Sequence, residues 1–165
     1  MLKRHFAFLA LAIAALALIG CDDSPENGRA IVAVSEINNG NPVQSSVSTG
    51  TSDIVPMEFR WRPYNEYALV SEATPHGDIL IESYTISWTL DGGTSAIPSR
   101  TEVTSIFVPV YDVVSAGILM VTAEEKAAVV GVPVSLIAHI DFKAREMGTE
   151  HEIEFSTQTS VTFIN

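Results

Sequence analysis

Carboxylates gather near the end of this chain. Glu150, Glu152 and Glu154 alternate with His151, Ile153 and Phe155. Alternate side chains of an extended strand leave on one face, so the three glutamates point the same way. Upstream, His139, Asp141, Lys143 and Arg145 alternate with Ala138, Ile140, Phe142 and Ala144. The segment Glu146-Met147-Gly148-Thr149 between the two runs reads as a turn. Centred on Met147-Gly148, it pairs Phe142 with Ile153 and Ile140 with Phe155. The outward pairs are then Arg145 with Glu150, Lys143 with Glu152, and Asp141 with Glu154. Two carboxylates face to face repel, so Asp141 opposite Glu154 calls for a cation. Oxygen ligands from Asp141, Glu152 and Glu154 suit calcium, and His139 would turn the set towards a transition metal. Lys143, Arg145 and solvent supply the simpler neutralisation, because exposed charge rows are usually just solvated. No Asp-x-Asp-x-Asp-Gly loop occurs.

Other chemistry lacks its residues. There is no His-x-x-x-His spacing and no Cys/His cluster, which argues against a zinc enzyme. No Gly-x-Ser-x-Gly elbow and no phosphate-binding Gly-rich loop is present. His76 falls in the loop Thr74-Pro75-His76-Gly77-Asp78, and His151 begins a strand beside a turn. The chain is therefore expected not to be an enzyme.

The elements that must position these residues are strands. Ala30 to Ile37 is β-branched and apolar, and Asn38 to Pro42 is a turn. In Asp53 to Arg62, Val55, Met57, Phe59 and Trp61 share one face, and Pro56, Glu58, Arg60 and Arg62 share the other. Pro56 cannot donate to a ladder and so predicts an edge or a bulge. In Asp78 to Leu90 the apolar parity switches near Glu82-Ser83, which predicts a β-bulge. Further strands fall at Thr101 to Val110 and Val113 to Val121, with Gly117 a possible bulge. Thr122 and Glu125 fit a capping box that opens one or two turns of helix before Gly131 and Pro133. Trp61, Trp88, Phe59, Tyr84 and Phe142 share their parity with other apolar residues and read as core. Tyr64 and Tyr67, in the long connection Pro63 to Gly77, read as exposed aromatics. That loop and Asn38 to Ser52 could present a binding surface.

About seven strands, turns every ten or so residues and almost no helix predict an all-β fold: one immunoglobulin-like sandwich of antiparallel strands. The motifs Trp61-Arg62-Pro63 and Tyr84-Thr85-Ile86-Ser87-Trp88 resemble the second and third strands of fibronectin type III modules. The segments Ile37-Asn38-Asn39-Gly40-Asn41-Pro42 and Asp53-Ile54-Val55-Pro56, Tyr84-Thr85-Ile86 and the helix at Lys126 resemble a set of uncharacterised bacterial lipoproteins. That resemblance implies no particular activity.

The start of the chain implies where the sandwich sits. A basic segment, Met1 to His5, precedes an apolar run from Phe6 to Ile19, shorter than the roughly 20 residues a spanning helix needs. It ends at Leu18-Ile19-Gly20-Cys21, which resembles a bacterial lipobox, and Cys21 is the only cysteine. The resemblance implies cleavage before Cys21 and acylation of its thiol. Two acyl chains suffice for stable membrane anchoring. Residues 1–20 then form a signal peptide, 21–28 the lipidated cysteine and a polar tether, and 29–165 the sandwich. Asp22 resembles the inner-membrane retention signal of enteric lipoproteins, a rule that does not hold in all bacteria.

Charge narrows the partners. The chain carries −11, and removing Lys3 and Arg4 with the leader takes the remainder to −13. So anionic a domain repels nucleic acid and gains nothing from anionic lipid through its net charge. The expected role is a binding or scaffolding module for an envelope or extracellular partner, held at the periplasmic or surface face of a membrane. A calcium-responsive module is the alternative.

Overall fold

The computed structural model describes residues 30–63, 77–90, 93–94, 97–149 and 151–165. Among the described residues, nine strands and one α-helix follow in order. They are β1 (Ala30–Ile37), β2 (Val43–Ser46), β3 (Asp53–Pro63), β4 (Ile79–Leu90), β5 (Gly93–Thr94), β6 (Arg100–Val108), β7 (Val113–Val121), α1 (Ala123–Ala128), β8 (Val134–Glu146) and β9 (His151–Ile164). One sheet is β1-β3-β7. The other runs β2-β9-β8-β4, with β5 and β6 both along the far side of β4. This order is that of an immunoglobulin-like sandwich. The fold is all-β, as the period-two patterns predict.

The alternating runs bury what they should. Val55, Met57, Phe59 and Trp61 of β3 face Leu136, Ala138, Ile140, Phe142 and Ala144 of β8 across the core. Phe59 meets Phe142 edge-on, with ring centroids 5.3 Å apart at 83°. Phe142 in turn stacks on Phe155 at 4.8 Å. Burying each such ring contributes about 1.5–3 kcal/mol. The parity switch in β4 is a bulge. Ile79 and Ile81 are buried before it, Tyr84, Ile86 and Trp88 after it, and both neighbouring registers shift between Ile81 and Ser83. The predicted capping box is present: Thr122 Oγ1 accepts from Glu125 N at 3.1 Å, and Glu125 Oε2 accepts from Thr122 N at 2.7 Å.

Four expectations change. First, β2 pairs parallel to β9, so the larger sheet is not wholly antiparallel. Second, Pro56 lies in the central strand of the small sheet, just past Ile37, the last β1 residue that pairs with β3. Its missing N–H costs nothing there, because no β1 residue stands opposite. Third, Gly117 pairs in register with Pro56, and the irregularity falls instead where Asp53 and Ile54 face Val121 and Leu119. Gly117 answers a different need, since a Cβ there would sit 2.7 Å from Ile54 Cγ2.

The fourth change matters most for the site. β8 and β9 pair Phe142 with Phe155 and Ala144 with Ile153, two residues away from the expected register. The cause is Glu146. It continues the inward parity of β8, is 2% exposed, and ends the strand as a buried carboxylate. Its Oε1 accepts from Gly77 N at 2.8 Å and its Oε2 from Thr149 Oγ1 at 3.0 Å. Drawn into the ladder, Glu146 leaves the described part of the turn to residues 147–149, with Gly148 at φ 95°. Trp61 Nε1 donates to Gly77 O at 3.2 Å and Met147 N to Asp78 O at 2.7 Å. This knot ties the start of β4, the end of β8 and the end of β3 together at one pole.

Candidate functional site

The outer face of the larger sheet carries the residues expected to do chemistry. The register disperses them. Asp141 stands between Thr85 of β4 and Ser156 of β9, not opposite Glu154. Glu154 faces Lys143, whose Nζ lies 3.3 Å from Glu154 Oε1, and both side chains are over two-thirds exposed. Glu152 faces Arg145, and Arg145 Nε also reaches Glu82 Oε1 at 2.8 Å. His139 sits between Ser87 and Gln158, its Nε2 3.0 Å from Thr89 Oγ1. Glu150 and Cys21 lie outside the described residues, as do Tyr64, Tyr67 and His76.

The repulsion that called for a cation is therefore removed by pairing. Asp141 has hydroxyl-bearing neighbours, and the two glutamates have basic ones. Among the described residues no three His, Cys, Asp or Glu side chains converge as metal ligands. A shallow groove of about 360 Å³ does run over this face, lined by Thr85, Asp141, Lys143, Glu154 and Ser156 above the backbone of Phe142 and Phe155. Within it Lys143 pairs with Glu154, and Asp141 stands between the hydroxyls of Thr85 and Ser156. The thermal midpoint of the purified protein is expected to be the same in millimolar calcium and in chelator. A rise of several degrees in calcium would restore the cation reading.

Sequence reasoning missed a second constellation at the opposite pole from the Glu146 knot. Glu125 is 5% exposed. Its Oε1 accepts from Arg100 Nε at 2.9 Å and from Trp88 Nε1 at 3.3 Å. Arg100 also donates to Glu102 Oε1 at 2.8 Å, to Met120 O at 2.9 Å and to Leu119 O. Beside it, Lys126 is 2% exposed, and its Nζ donates to Asp53 Oδ1 at 2.8 Å and Thr49 Oγ1 at 3.1 Å. Tyr84 Oη accepts from Leu119 N at 3.1 Å. Burial pushes the Tyr84 phenol up, against the opposing pull of that hydrogen bond and of Arg100. The phenol stays neutral at ordinary pH. These groups are closed on one another, which makes them a brace between the sheets. The capping box was the visible part of this network. Arg100 gives no signal in the sequence, because an arginine beside a strand reads as surface.

The remaining feature is an edge. β6 pairs with no strand but β4 among the described residues, and none of them pairs along its other side. On its outer face Val103 is 89% exposed and Phe107 48%. Neither Lys nor Pro interrupts Arg100–Val108, the usual guards of a free edge. The one irregularity is the offset opposite the β4 bulge.

Compared with family models and with curated proteins, the chain matches none. Among the described residues no helix is long and apolar enough to cross a membrane.

Proposed function

We propose that this chain is a lipid-anchored, non-enzymatic module of a bacterial cell envelope. It takes an extended segment of an envelope or extracellular partner as an added strand along β6. The observation that carries this reading is the nine-residue edge of β6, unpaired on its far side among the described residues, with Val103 and Phe107 exposed beside it. Strand addition needs both parts. Backbone hydrogen bonds give affinity, and alternate side chains give specificity. The lipobox-like Leu18-Ile19-Gly20-Cys21 supports the anchor. The placement of β6 beside β4 and not in the small sheet, with Trp61 and Trp88 in the core, favours a fibronectin type III-like variant. The closed charge networks, with their side chains spent on one another, favour a binding role over catalysis.

The test is affinity recovery of the protein from detergent-solubilised envelopes after mild crosslinking. A reproducible partner is expected with the wild-type chain. Val103→Glu with Phe107→Glu places charge at two exposed positions, so it should leave the fold intact and lose at least tenfold of the recovered partner. Equal recovery would contradict docking on β6. Cys21→Ser is expected to release the protein from membranes or leave it as precursor. Unchanged fractionation would contradict the anchor.

A further inference from the structure

Among the described residues, the exposed positive charge that no carboxylate pairs lies at one end of this acidic protein. Seven Lys and Arg follow residue 20: Arg29, Arg60, Arg62, Arg100, Lys126, Lys143 and Arg145. Arg100 and Lys126 are consumed by the brace near α1. Lys143 and Arg145 are paired with Glu154 and Glu82. Arg29 lies outside the described residues. That leaves Arg60 and Arg62, both exposed and both without an ion-pair partner among the described residues. They stand two residues apart on the outward side of β3, about 7 Å along the strand. Around them the small sheet is apolar. Ile31 pairs with Arg62, and Ala33 and Val113 flank Arg60. Tyr111, 64% exposed, rests on Trp61 with ring centroids 4.6 Å apart and projects from the same pole. Glu58 is the nearest acid on that side of β3, one step further from the pole. Asp112, exposed beside Tyr111, is an acid at this pole; its Oδ1 accepts from Val113 N at 2.7 Å.

This pole is also where the chain enters the sandwich. β1 begins at Ala30, which pairs with Pro63, next to Arg62. Only eight residues separate Ala30 from Cys21, a reach of roughly 30 Å at most. The sandwich is longer than that: the 13 residues of β8 extend about 43 Å. A domain standing on its α1 end would hold Ala30 beyond the tether's reach. Resting on the proposed anchor at Cys21, we infer that the pole bearing Arg60, Arg62 and Tyr111 lies against the membrane and binds anionic phospholipid headgroups. The guanidinium forks match phosphate oxygens. Tyr111 has the amphipathic build of a side chain that settles at headgroup depth, and Ile31, Ala33 and Val113 supply apolar contact around it. Near an anionic surface each arginine is expected to be worth about a fivefold gain. The net −13 opposes close approach of the rest of the domain, which orients it pole-down and leaves the far edge of β6 outside the contact.

Hydrogen exchange read by mass spectrometry tests this on the whole protein extracted from membranes and reconstituted in vesicles. Segments 57–63 and 109–115 are expected to exchange at least fivefold more slowly in phosphatidylglycerol-containing vesicles than in phosphatidylcholine alone. Segment 123–131 should exchange equally in both. Arg60→Glu with Arg62→Glu should erase the difference, and Arg60→Gln with Arg62→Gln should reduce it, without moving the thermal midpoint. Equal exchange in both vesicle types would overturn the proposal. So would protection already complete in detergent, which would mean that the acidic tether Asp22–Glu26 or a second copy covers the arginines. The mass of the peptide holding Cys21, from the same run, decides the anchor separately. If Cys21 carries no lipid, the same segments are followed with the chain mixed into suspended anionic vesicles. Salt-sensitive protection there upholds the patch, and its absence overturns it.

Discussion

Glu125→Ala is expected to destabilise the protein by about 3–5 kcal/mol, the cost of breaking a buried ion pair from one side. The Glu125 carboxylate holds three donors: Arg100 Nε, Trp88 Nε1 and Thr122 N, the last as half of the capping box that opens α1. Removing the carboxylate leaves the Arg100 guanidinium, whose side chain is 16% exposed, without its buried counter-charge and with only the more exposed Glu102. It also strips the indole of its acceptor and the helix of half its capping box. For a domain of this size the thermal midpoint should fall by roughly 10 °C. The double replacement Arg100→Met with Glu125→Met is expected to recover part of that loss, because it removes the unpaired charge along with its partner. Chemical or thermal unfolding checks both. A single variant within about 1 kcal/mol of wild type would mean that the brace is not closed in solution.

Gly77→Val is expected to be comparably damaging at the other pole. A Cβ on Gly77 would run into the Met147 carbonyl oxygen and come within 2.8 Å of Glu146 Cγ. The backbone on both sides is fixed. Gly77 N is held by Glu146, Gly77 O by Trp61, and Asp78 O by Met147 N. Nothing nearby is a loose side-chain end that can swing away. Relief therefore requires the start of β4 to leave the end of β8, which breaks up to three hydrogen bonds and leaves the Glu146 carboxylate buried with only Thr149. The sum is about 3 kcal/mol or more. Unfolding by denaturant measures it. Trp61 fluorescence should shift to the red in the same variant, since its indole N–H loses its acceptor. A stable variant with an unshifted spectrum would show that the knot does not hold this pole.

These two sites also mark what sequence can and cannot reveal. The core strands were legible because alternation is a direct consequence of strand geometry. Val55 to Trp61 and Leu136 to Phe142 face inward as their parity requires, and the Glu82 bulge showed itself as a break in parity. The capping box was legible because it is local. The hairpin register was not. A slip of one residue would have exposed the core and been detected, but a slip of two keeps every side chain on its face. Only the length of the turn distinguishes the two registers, and that depended on whether Glu146 was buried. A glutamate between Arg145 and Met147 reads as part of an exposed turn. Its partners, Gly77 and Thr149, come from the distant segment just before β4 and from the turn itself. The candidate cation site inherited this error. It rested on Asp141 facing Glu154, and the true register gives Asp141 a serine and Glu154 a lysine. Arg60 and Arg62 were read correctly as outward. Their significance appears only when Arg100, Lys126, Lys143 and Arg145 are seen to be occupied elsewhere.

The central claim, that an anchored sandwich recruits its partner along β6, is tested most directly by photocrosslinking from within that strand. A photoreactive residue is placed at Val103, at the matching exposed position Ser115 on the edge strand β7, and at Val130 near the start of β8, in cells making the otherwise native protein. The account predicts one discrete adduct from position 103 and none from positions 115 and 130. It also predicts that the adduct disappears when Cys21→Ser removes the protein from the membrane. Adducts of equal strength from all three positions, or from 115 or 130 in place of 103, would contradict it.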